Sequence, residues 1–259
     1  MLLADKHALV FAATGAIGDA VARTFAKEGA HVWLSGRDAA ALDALAAAIR
    51  AEGGTVAAEV VDATDPADVS AYVDWVAATA GRIDAVFNAI GGRPADLGYP
   101  AASETQPFDL FLKPLRVILG STFLTSRAEA ARMAEQGHGA VVTLSASLAD
   151  GRFAAMAGIS ATQGGIEAMT RSLAGEFGPA GVRINCLRAT AMPETRTIRE
   201  TAAGLAHLGN AIGGPPVGSE VDVRPLSVAE TAAAAAFLAS DAASGMTAQV
   251  VNVYGRLAA

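Results

Sequence analysis

The sequence predicts a single α/β domain built on a doubly wound parallel sheet of about seven strands, with helices on both faces. The prediction rests on apolar runs that alternate with amphipathic helical segments along the 259 residues, and on the turn that joins the first such pair. The run from Ala8 to Phe11 is continuously apolar, as in a central parallel strand that is buried on both faces. Ile17, Val21 and Phe25 then recur every four residues, which predicts a helix directly after this strand.

The turn between this strand and this helix consists of small residues at fixed offsets. It reads Ala12-Ala13-Thr14-Gly15-Ala16-Ile17-Gly18, with Ala12 at the place where a first glycine usually stands. Small side chains at these offsets let the backbone approach the pyrophosphate of a dinucleotide and direct a helix N-terminus towards it. The alternative is a plain strand-to-helix turn that happens to be small.

The second strand ends in a basic residue at the point where a dinucleotide site selects its cofactor. His31 to Ser35 is predicted as strand two and Ala39 to Glu52 as helix two, which two glycines end. Gly36 stands where an acid would bind the ribose of NAD, and Arg37 follows it. Because a guanidinium binds phosphate well, Arg37 favours NADP(H). The alternative is that Arg37 is a solvated loop charge.

The third strand brings an acid to the same edge of the sheet. Thr55 to Val60 is predicted as strand three, and Asp62 follows it at the carboxyl end, where ligands collect in such sheets. Pro66 then begins a helix that either Asp65 or Thr64 caps.

Composition limits the classes of function. A single cysteine, the lack of a charged and apolar leader, and the lack of an apolar run of roughly 18 residues predict a cytoplasmic protein without disulfides or membrane spans. The net charge of −7 disfavours nucleic acid and anionic membranes as partners, so a small molecule is expected. The histidines show no metal-ligand spacing, so no metal is expected.

The predicted fourth strand, within residues 81–92, runs into the glycine-rich loop Asn88-Ala89-Ile90-Gly91-Gly92. With this loop and Asp62, the chain resembles the short-chain dehydrogenase/reductase family. Asp62 matches the family's adenine-contacting acid, and the loop matches its Asn-Asn-Ala-Gly motif with two substitutions. Three later segments resemble the family's fifth strand, its sixth strand, and its closing helix and strand, in that order: residues 139–145, 183–187 and 237–249.

The resemblance implies an architecture and a cofactor site. The family's fold is a Rossmann-like doubly wound sheet, expected here as one domain over residues 1–259, which binds NAD or NADP at the carboxyl ends of its strands. Its members are usually tetramers, so a homo-oligomer, either a dimer or a tetramer, is expected. The residues implied to bind NADP(H) are Ala12, Thr14, Gly15, Ile17, Gly18, Arg37, Asp62, Asn88, Ala89 and Thr195.

The resemblance also implies where catalytic residues would stand, and there the chain departs from the family. Ile159 occupies the place of the catalytic tyrosine, Gln163 that of the lysine, Ala146 that of the serine and Val117 that of the asparagine. Ile159 has no proton to donate, and Gln163 has no charge with which to lower a neighbouring pKa. The chain is therefore identified as an atypical member of the family that lacks the Asn-Ser-Tyr-Lys catalytic residues.

Three polar residues are predicted to replace the lost chemistry: Arg188, Ser145 and Gln163. A base at the end of a core strand is uncommon, so Arg188 either faces a ligand or forms a structural ion pair. Ser145 flanks the missing serine and either reaches the cleft or is a satisfied strand-end hydroxyl. Asp150, in the next loop, also borders the predicted cleft and is another possible proton source.

Apolar residues and a lid are predicted to complete the cleft. The side chains expected to make it dry are Val117, Met156, Ile159 and Met192. Residues 193–226 are expected to form a substrate lid that contains a short helix from Thr197 to His207. The apolar residues expected at a subunit interface are Phe123, Ile159, Ile166, Met169, Leu173 and Phe177.

Three classes of function are compatible with this sequence. The first is an NADP(H)-dependent oxidoreductase that reduces a hydrophobic conjugated, iminium or carbonyl small molecule, because hydride addition to an iminium or conjugated alkene needs little proton donation. The second is a non-redox enzyme, a cyclase, isomerase or dehydratase, that uses the same cleft. The third is a catalytically silent binding subunit.

Overall fold

The computed structural model describes residues 1–208 and 223–257, and these confirm the predicted doubly wound α/β fold. Seven strands form one sheet in the order β3-β2-β1-β4-β5-β6-β8, and every pairing in it is parallel. The strands are β1 His7–Phe11, β2 His31–Gly36, β3 Thr55–Val60, β4 Ala85–Asn88, β5 Gly139–Ala146, β6 Val182–Ala189, β7 Val223–Arg224, β8 Val250–Val253 and β9 Arg256–Leu257. The helices are α1 Ala16–Lys27, α2 Ala39–Ala51, α3 Pro66–Ala80, α4 Phe108–Pro114, α5 Gly120–Gln136, α6 Ala157–Phe177, α7 Arg196–His207 and α8 Val228–Ala239.

Side chains of β1 alternate between the two faces of the sheet and so divide the core into two layers. On one face, Val10 belongs to an apolar cluster with Phe25 of α1 and with residues of α2 and α8. On the other face, Phe11 clusters with Tyr72 of α3, Met133 of α5 and residues of α6. Both faces of the central strands are therefore covered, which is why these strands are continuously apolar in sequence.

Local sequence signals set most of the boundaries of the strands and helices from β2 to α3. The predicted third strand is confirmed, and Asp65 rather than Thr64 caps α3, because its side chain accepts hydrogen bonds from the amides of Ala67 at 2.7 Å and Asp68 at 3.4 Å. β2 extends one residue further than predicted, to Gly36. α2 ends at Ala51, one residue earlier than predicted.

The predicted lid, residues 193–226, is partly helical in the described structure. α7 begins at Arg196, one residue before the predicted start, because the Thr195 side chain accepts a hydrogen bond from the amide of Ile198 and so caps the helix. Further on, β7 pairs with β9 in an antiparallel ribbon. Residues 209–222 of the predicted lid lie outside the described residues.

Three of the residues expected at a subunit interface lie instead in the core of the chain. Ile159, Ile166 and Leu173 on α6 are each 5% exposed or less, because this face of α6 packs on the sheet and on neighbouring helices. Assigning these three to an exposed interface was therefore wrong. Phe123 on α5, by contrast, is 39% exposed.

Within residues 1–208 and 223–257, no helix has both the length and the apolar character that a bilayer span requires.

Candidate functional site

The turn after β1 brings helix α1 very close to the strand that precedes it. A Cβ atom at Gly18 would lie 2.4 Å from the carbonyl oxygen of Ala12 and 2.9 Å from the Cα of Ala13, so only glycine fits there. Gly15 is the N-cap of α1, and no side chain caps this end of the helix. The exposed Thr14 and Gly15 leave this end of the helix open to solvent, as an anion site requires.

Ala12 occupies the place of a first glycine and adopts the backbone conformation that glycine favours. Its φ angle is +53°, in the left-handed region where a side chain is unfavourable by about 1 kcal/mol. The turn therefore keeps a glycine-type backbone although its first glycine has been replaced.

The tip of β2 presents one basic side chain towards the same end of the sheet. Arg37 is exposed, and none of the acidic groups in the described part of the chain forms a salt bridge with it. Asp38, next to it, is the N-cap of α2 and accepts a hydrogen bond from the amide of Ala41 at 3.1 Å. The two neighbouring charges thus have different roles, since Asp38 stabilises a helix and Arg37 remains available to a ligand.

Asp62 lies close enough to Arg37 for the two charges to interact. The side chain and the backbone amide of Thr64 donate hydrogen bonds to Asp62 Oδ1 at 2.7 and 2.9 Å. These hydrogen bonds lower the pKa of Asp62, and the nearby guanidinium of Arg37 lowers this pKa further. Asp62 is therefore a fixed carboxylate beside Arg37, at the carboxyl end of β3.

Two predicted cofactor contacts point their side chains into the protein. Asn88 is 1% exposed and donates from Nδ2 to Ser126 Oγ at 3.0 Å and to Glu129 Oε2 at 3.4 Å. Thr195 is 6% exposed, and its hydroxyl donates to the carbonyl of Met192 at 2.8 Å while it caps α7. The Asn88 Nδ2 group and the Thr195 hydroxyl are therefore already engaged within the chain.

The residues that the resemblance assigns to the tyrosine and asparagine positions pack among apolar side chains. Ile159 is 2% exposed and belongs to a cluster with Leu97, Tyr99, Ile118, Met156, Ile166 and Cys186. The prediction that Ile159 lines the cleft is therefore wrong, because its side chain is packed in the interior. Met192 belongs to a separate cluster on the other face of the sheet, so Met156 and Met192 do not line one cavity together.

A π-helical turn, Leu115–Leu119, lies between α4 and α5. This turn contains Val117, the residue that the resemblance assigns to the asparagine position. Val117 is partly buried, and the next residue, Ile118, is 4% exposed. Both are apolar, so neither can order water through its side chain.

Polar chemistry at the carboxyl ends of β5 and β6 is concentrated in four residues, which we name the Arg188 cluster: Ser145, Asp150, Glu167 and Arg188. Ser145 and Arg188 are direct neighbours in the sheet register. Arg188 donates to Glu167 twice, from Nε to Oε1 at 2.7 Å and from Nη2 to Oε2 at 2.5 Å. Its Nη1 forms a second ion pair with Asp150, and Ser145 Oγ donates to Glu167 Oε1 at 2.9 Å.

Within the cluster, the guanidinium of Arg188 forms ion pairs and does not release a proton to a ligand. The Arg188 side chain is 13% exposed and the Glu167 side chain 7%, whereas the Asp150 side chain is 50% exposed. The hydrogen bonds from Arg188 to Glu167 raise the pKa of Arg188 above its already high ordinary value. Of the two alternatives for Arg188, a ligand contact or a structural ion pair, the structure shows the ion pair. Ser145 is the strand-end hydroxyl whose hydrogen bond is satisfied within the chain.

Gln163 and Glu167 lie one helical turn apart on α6, on the side of the helix that faces this cluster. Gln163 Oε1 is buried and has no hydrogen-bond partner among the described residues. The sequence reasoning missed Glu167. Its spacing of four residues from Gln163 and eight from Ile159 was the available signal, because residues at these intervals share one helix face.

The chain matches the family model described as Enoyl-(Acyl carrier protein) reductase over residues 11–255. A Mycobacterium tuberculosis protein, (5R,7aS)-5-hydroxy-7a-methyl-1-oxo-2,3,5,6,7,7a-hexahydro-1H-indene-carboxyl-CoA reductase, is 34% identical over 97% of this chain and 93% of its own length. A solved structure described as a short-chain dehydrogenase/reductase from Burkholderia xenovorans is 30% identical, with a TM-score of 0.82, and the match covers 98% of this chain and 96% of that one. NAD+-bound xylitol dehydrogenase is 25% identical, with a TM-score of 0.88, over 98% of this chain and 100% of that one.

Gly18→Ala is expected to destabilise the fold, by about 1–3 kcal/mol, because its methyl group would overlap the backbone of the β1 turn. The matched control is Gly175→Ala on α6, where a Cβ atom meets nothing within 4 Å and alanine favours the helix. Urea unfolding measures both variants. Equal stability of the two variants would contradict the close approach at Gly18.

Proposed function

The chain belongs to the short-chain dehydrogenase/reductase family, and we propose that it is an NADP(H)-dependent oxidoreductase with a non-standard active centre. The substrate we propose is a hydrophobic small molecule with a conjugated, iminium or carbonyl group. The observation that supports this most is the turn after β1, which keeps the close approach at Gly18 and the glycine-type backbone at Ala12. A turn without a dinucleotide to bind would not need this strained conformation.

The described residues fit a dinucleotide at this edge of the sheet. The open N-terminus of α1 after Gly15 suits a pyrophosphate, and Asp62 at the end of β3 suits the adenosine half. Arg37 suits the additional phosphate that distinguishes NADP from NAD. When bound, NADP(H) supplies the hydride.

In this proposal the Arg188 cluster compensates for the missing proton donor because it binds a cationic substrate, whose reduction needs no proton from the protein. Two carboxylates, of Asp150 and Glu167, surround one guanidinium, so the cluster carries an excess of one negative charge. Such a cluster attracts a cation at its exposed side, where Asp150 lies. An iminium ion fits this charge, and its reduction gives a neutral amine without a proton from the protein. Arg188 acts as a positioning residue, because it fixes both carboxylates.

Partly buried apolar residues that pack on the Ile159 cluster, among them Leu148, Phe153 and Leu205, support a hydrophobic substrate. Met156 and Tyr99 pack with Ile159 on the α4 side of α6, one turn from Gln163. The relative from M. tuberculosis carries a hexahydroindene in its name, and a fused carbocycle of this kind would suit an apolar cleft.

We also propose that the protein is a cytoplasmic homo-oligomer. Phe123 on α5 is 39% exposed with the guanidinium of Arg127 over its ring, and Phe108 on α4 is 71% exposed. Exposed aromatic residues of this kind are common in subunit interfaces. The single cysteine, Cys186, is free and buried, which suits a reducing compartment.

Arg37→Ala is expected to weaken NADPH binding about 10- to 100-fold and to leave NADH binding unchanged. The reason is the loss of one charge-assisted phosphate contact, which is worth about 1.5–3 kcal/mol. Calorimetric titration with both nucleotides measures the ratio of the two affinities. Arg171→Ala removes another exposed guanidinium and serves as the control. An unchanged ratio in Arg37→Ala would show that Arg37 is a solvated loop charge.

The wild-type protein is expected to reduce a hydrophobic cyclic iminium ion much faster than the corresponding ketone. General acid catalysis is worth roughly 10²–10⁴ in rate, and Ile159 cannot provide it for the ketone. NADPH oxidation, followed by absorbance with the matched substrate pair, measures the difference. Fast ketone reduction would contradict the proposed active centre. Tight NADPH binding without oxidation by either substrate would favour a non-redox enzyme or a silent binding subunit.

A further inference from the structure

A second polar cluster lies in the interior, on the face of the sheet covered by α3 and α5. We name it the Glu129 cluster, and each of its members is 3% exposed or less: Ser35, Tyr72, Asn88, Ser126 and Glu129. None of these residues belongs to the Arg188 cluster. A buried carboxyl group in a hydrophobic layer is rare enough to require a physical reason.

The cluster lies at the carboxyl ends of three neighbouring strands, β2, β1 and β4. Asn88 on β4 is level with Phe11 on β1 in the sheet register, and Ser35 on β2 follows Leu34, the partner of Val10. Tyr72 of α3 packs its ring against the Phe11 ring at a centroid distance of 5.4 Å. The cluster therefore surrounds the last residue of β1, immediately before the turn that begins at Ala12.

Four oxygen atoms of the cluster have no hydrogen-bond partner among the described residues: Ser35 Oγ, Tyr72 OH, Asn88 Oδ1 and Glu129 Oε1. Its direct hydrogen bonds run from Asn88 Nδ2 to Ser126 Oγ and to Glu129 Oε2. The Ser35 and Tyr72 hydroxyls lie close enough to interact with each other, but Asn88 Oδ1 and Glu129 Oε1 still lack donors, and an unsatisfied buried polar atom is destabilising. Such atoms are normally satisfied by internal water.

Glu129 also lacks a cation to balance a negative charge. Across the residues that the structure describes, no lysine, arginine or histidine forms a salt bridge with it. The groups that face it are the Asn88 amide, the Ser126 hydroxyl and, from α3, the Tyr72 phenol. A fully buried carboxylate without a cation is far less favourable than the neutral acid.

We propose that the Glu129 cluster is an internal water site in which Glu129 is held as the neutral carboxylic acid. A protonated Glu129 adds a donor to a cluster in which Asn88 Oδ1 offers only an acceptor. The Ser35 and Tyr72 hydroxyls can donate or accept, so one or two waters can complete the hydrogen bonds. Burial independently raises the pKa of Glu129 to about 8, against a smaller lowering by Asn88.

The proton of Glu129 links the stability of the fold to pH. The unfolded chain releases this proton near the ordinary pKa of 4.5, whereas the folded chain keeps it up to about pH 8. Between these values the folded state binds more protons, so its stability falls as pH rises. The loss is complete above the folded pKa. The neutral amide of a glutamine would remove this dependence.

Infrared spectroscopy tests the neutral acid directly. We expect the wild-type protein at pH 6 to show the carbonyl stretch of a protonated, buried carboxyl group, and Glu129→Gln to lack this band. Glu176→Gln, which replaces an exposed glutamate on α6, is the control and should keep the band. In wild type and in Glu176→Gln alike, the band should disappear above about pH 8. Lack of the band at pH 6 in wild type would overturn the proposal.

Urea unfolding of wild type and Glu129→Gln as a function of pH tests the linkage. The ratio of their folding constants should change about tenfold per pH unit between about pH 5 and pH 8, with wild type losing stability relative to the variant. The folding constants of wild type and Glu176→Gln should change in parallel with pH. A ratio between wild type and Glu129→Gln that does not depend on pH would overturn the proposal.

Two further measurements separate water from a bound cation. Wild-type unfolding should not depend on whether the added salt is sodium, potassium or choline chloride at equal ionic strength. Selective stabilisation by sodium or potassium would overturn the neutral acid in favour of a carboxylate paired with a metal cation. A high-resolution crystal structure should show ordered water within hydrogen-bond distance of at least two of the four oxygen atoms, and a dry cluster would contradict the water site.

Discussion

A guanidinium that is largely buried at the end of a sheet strand needs carboxylates that the fold itself brings to it. Arg188 is in this position at the carboxyl end of β6, and Glu167 on α6 meets it through two hydrogen bonds. Removing either partner would leave a charge in a poorly solvated place. The contact therefore fixes α6 against β6, and it draws Ser145 and Asp150 into the same arrangement.

The contact between Arg188 and Glu167 determines which polar groups are present at the carboxyl ends of β5 and β6. The first two turns of α6 carry Ile159 and Gln163, at the positions that the sequence resemblance assigns to the family's proton-donating pair. The charged groups have their place one turn later, at Glu167, and next to it in the sheet, at Arg188. The edge of the sheet near β1, β2 and β3 keeps the features of a dinucleotide site, with Gly18 against Ala12 and with Arg37 beside Asp62. The proposed function therefore places the substrate chemistry at the Arg188 end of the sheet and the dinucleotide at the end near β1, β2 and β3.

Short-range sequence signals made the fold predictable, but they did not reveal which polar side chains are buried in the interior. The apolar run of β1, the small turn and the Asp65-Pro66 helix start each depend on neighbouring residues, and the structure agrees with them. Glu167 and Glu129 lie in helices where a glutamate normally faces solvent. Their burial depends on a partner strand far away in sequence, and local patterns do not show such partners. Met192 lies on the opposite face of the sheet from Met156 for the same reason.

The most direct test of the account is a double-mutant cycle on Arg188→Met and Glu167→Gln, with the free energy of unfolding as the measurement. Arg188→Met leaves the buried Glu167 carboxylate without its cation, and Glu167→Gln leaves Arg188 with only the half-exposed Asp150 carboxylate, so each should cost about 3–5 kcal/mol. The double variant should cost less than the sum of the two by at least about 2 kcal/mol, because the second substitution removes the group that the first one left unpaired. Additive costs would show that Arg188 and Glu167 do not depend on each other and would contradict the central role given to this ion pair.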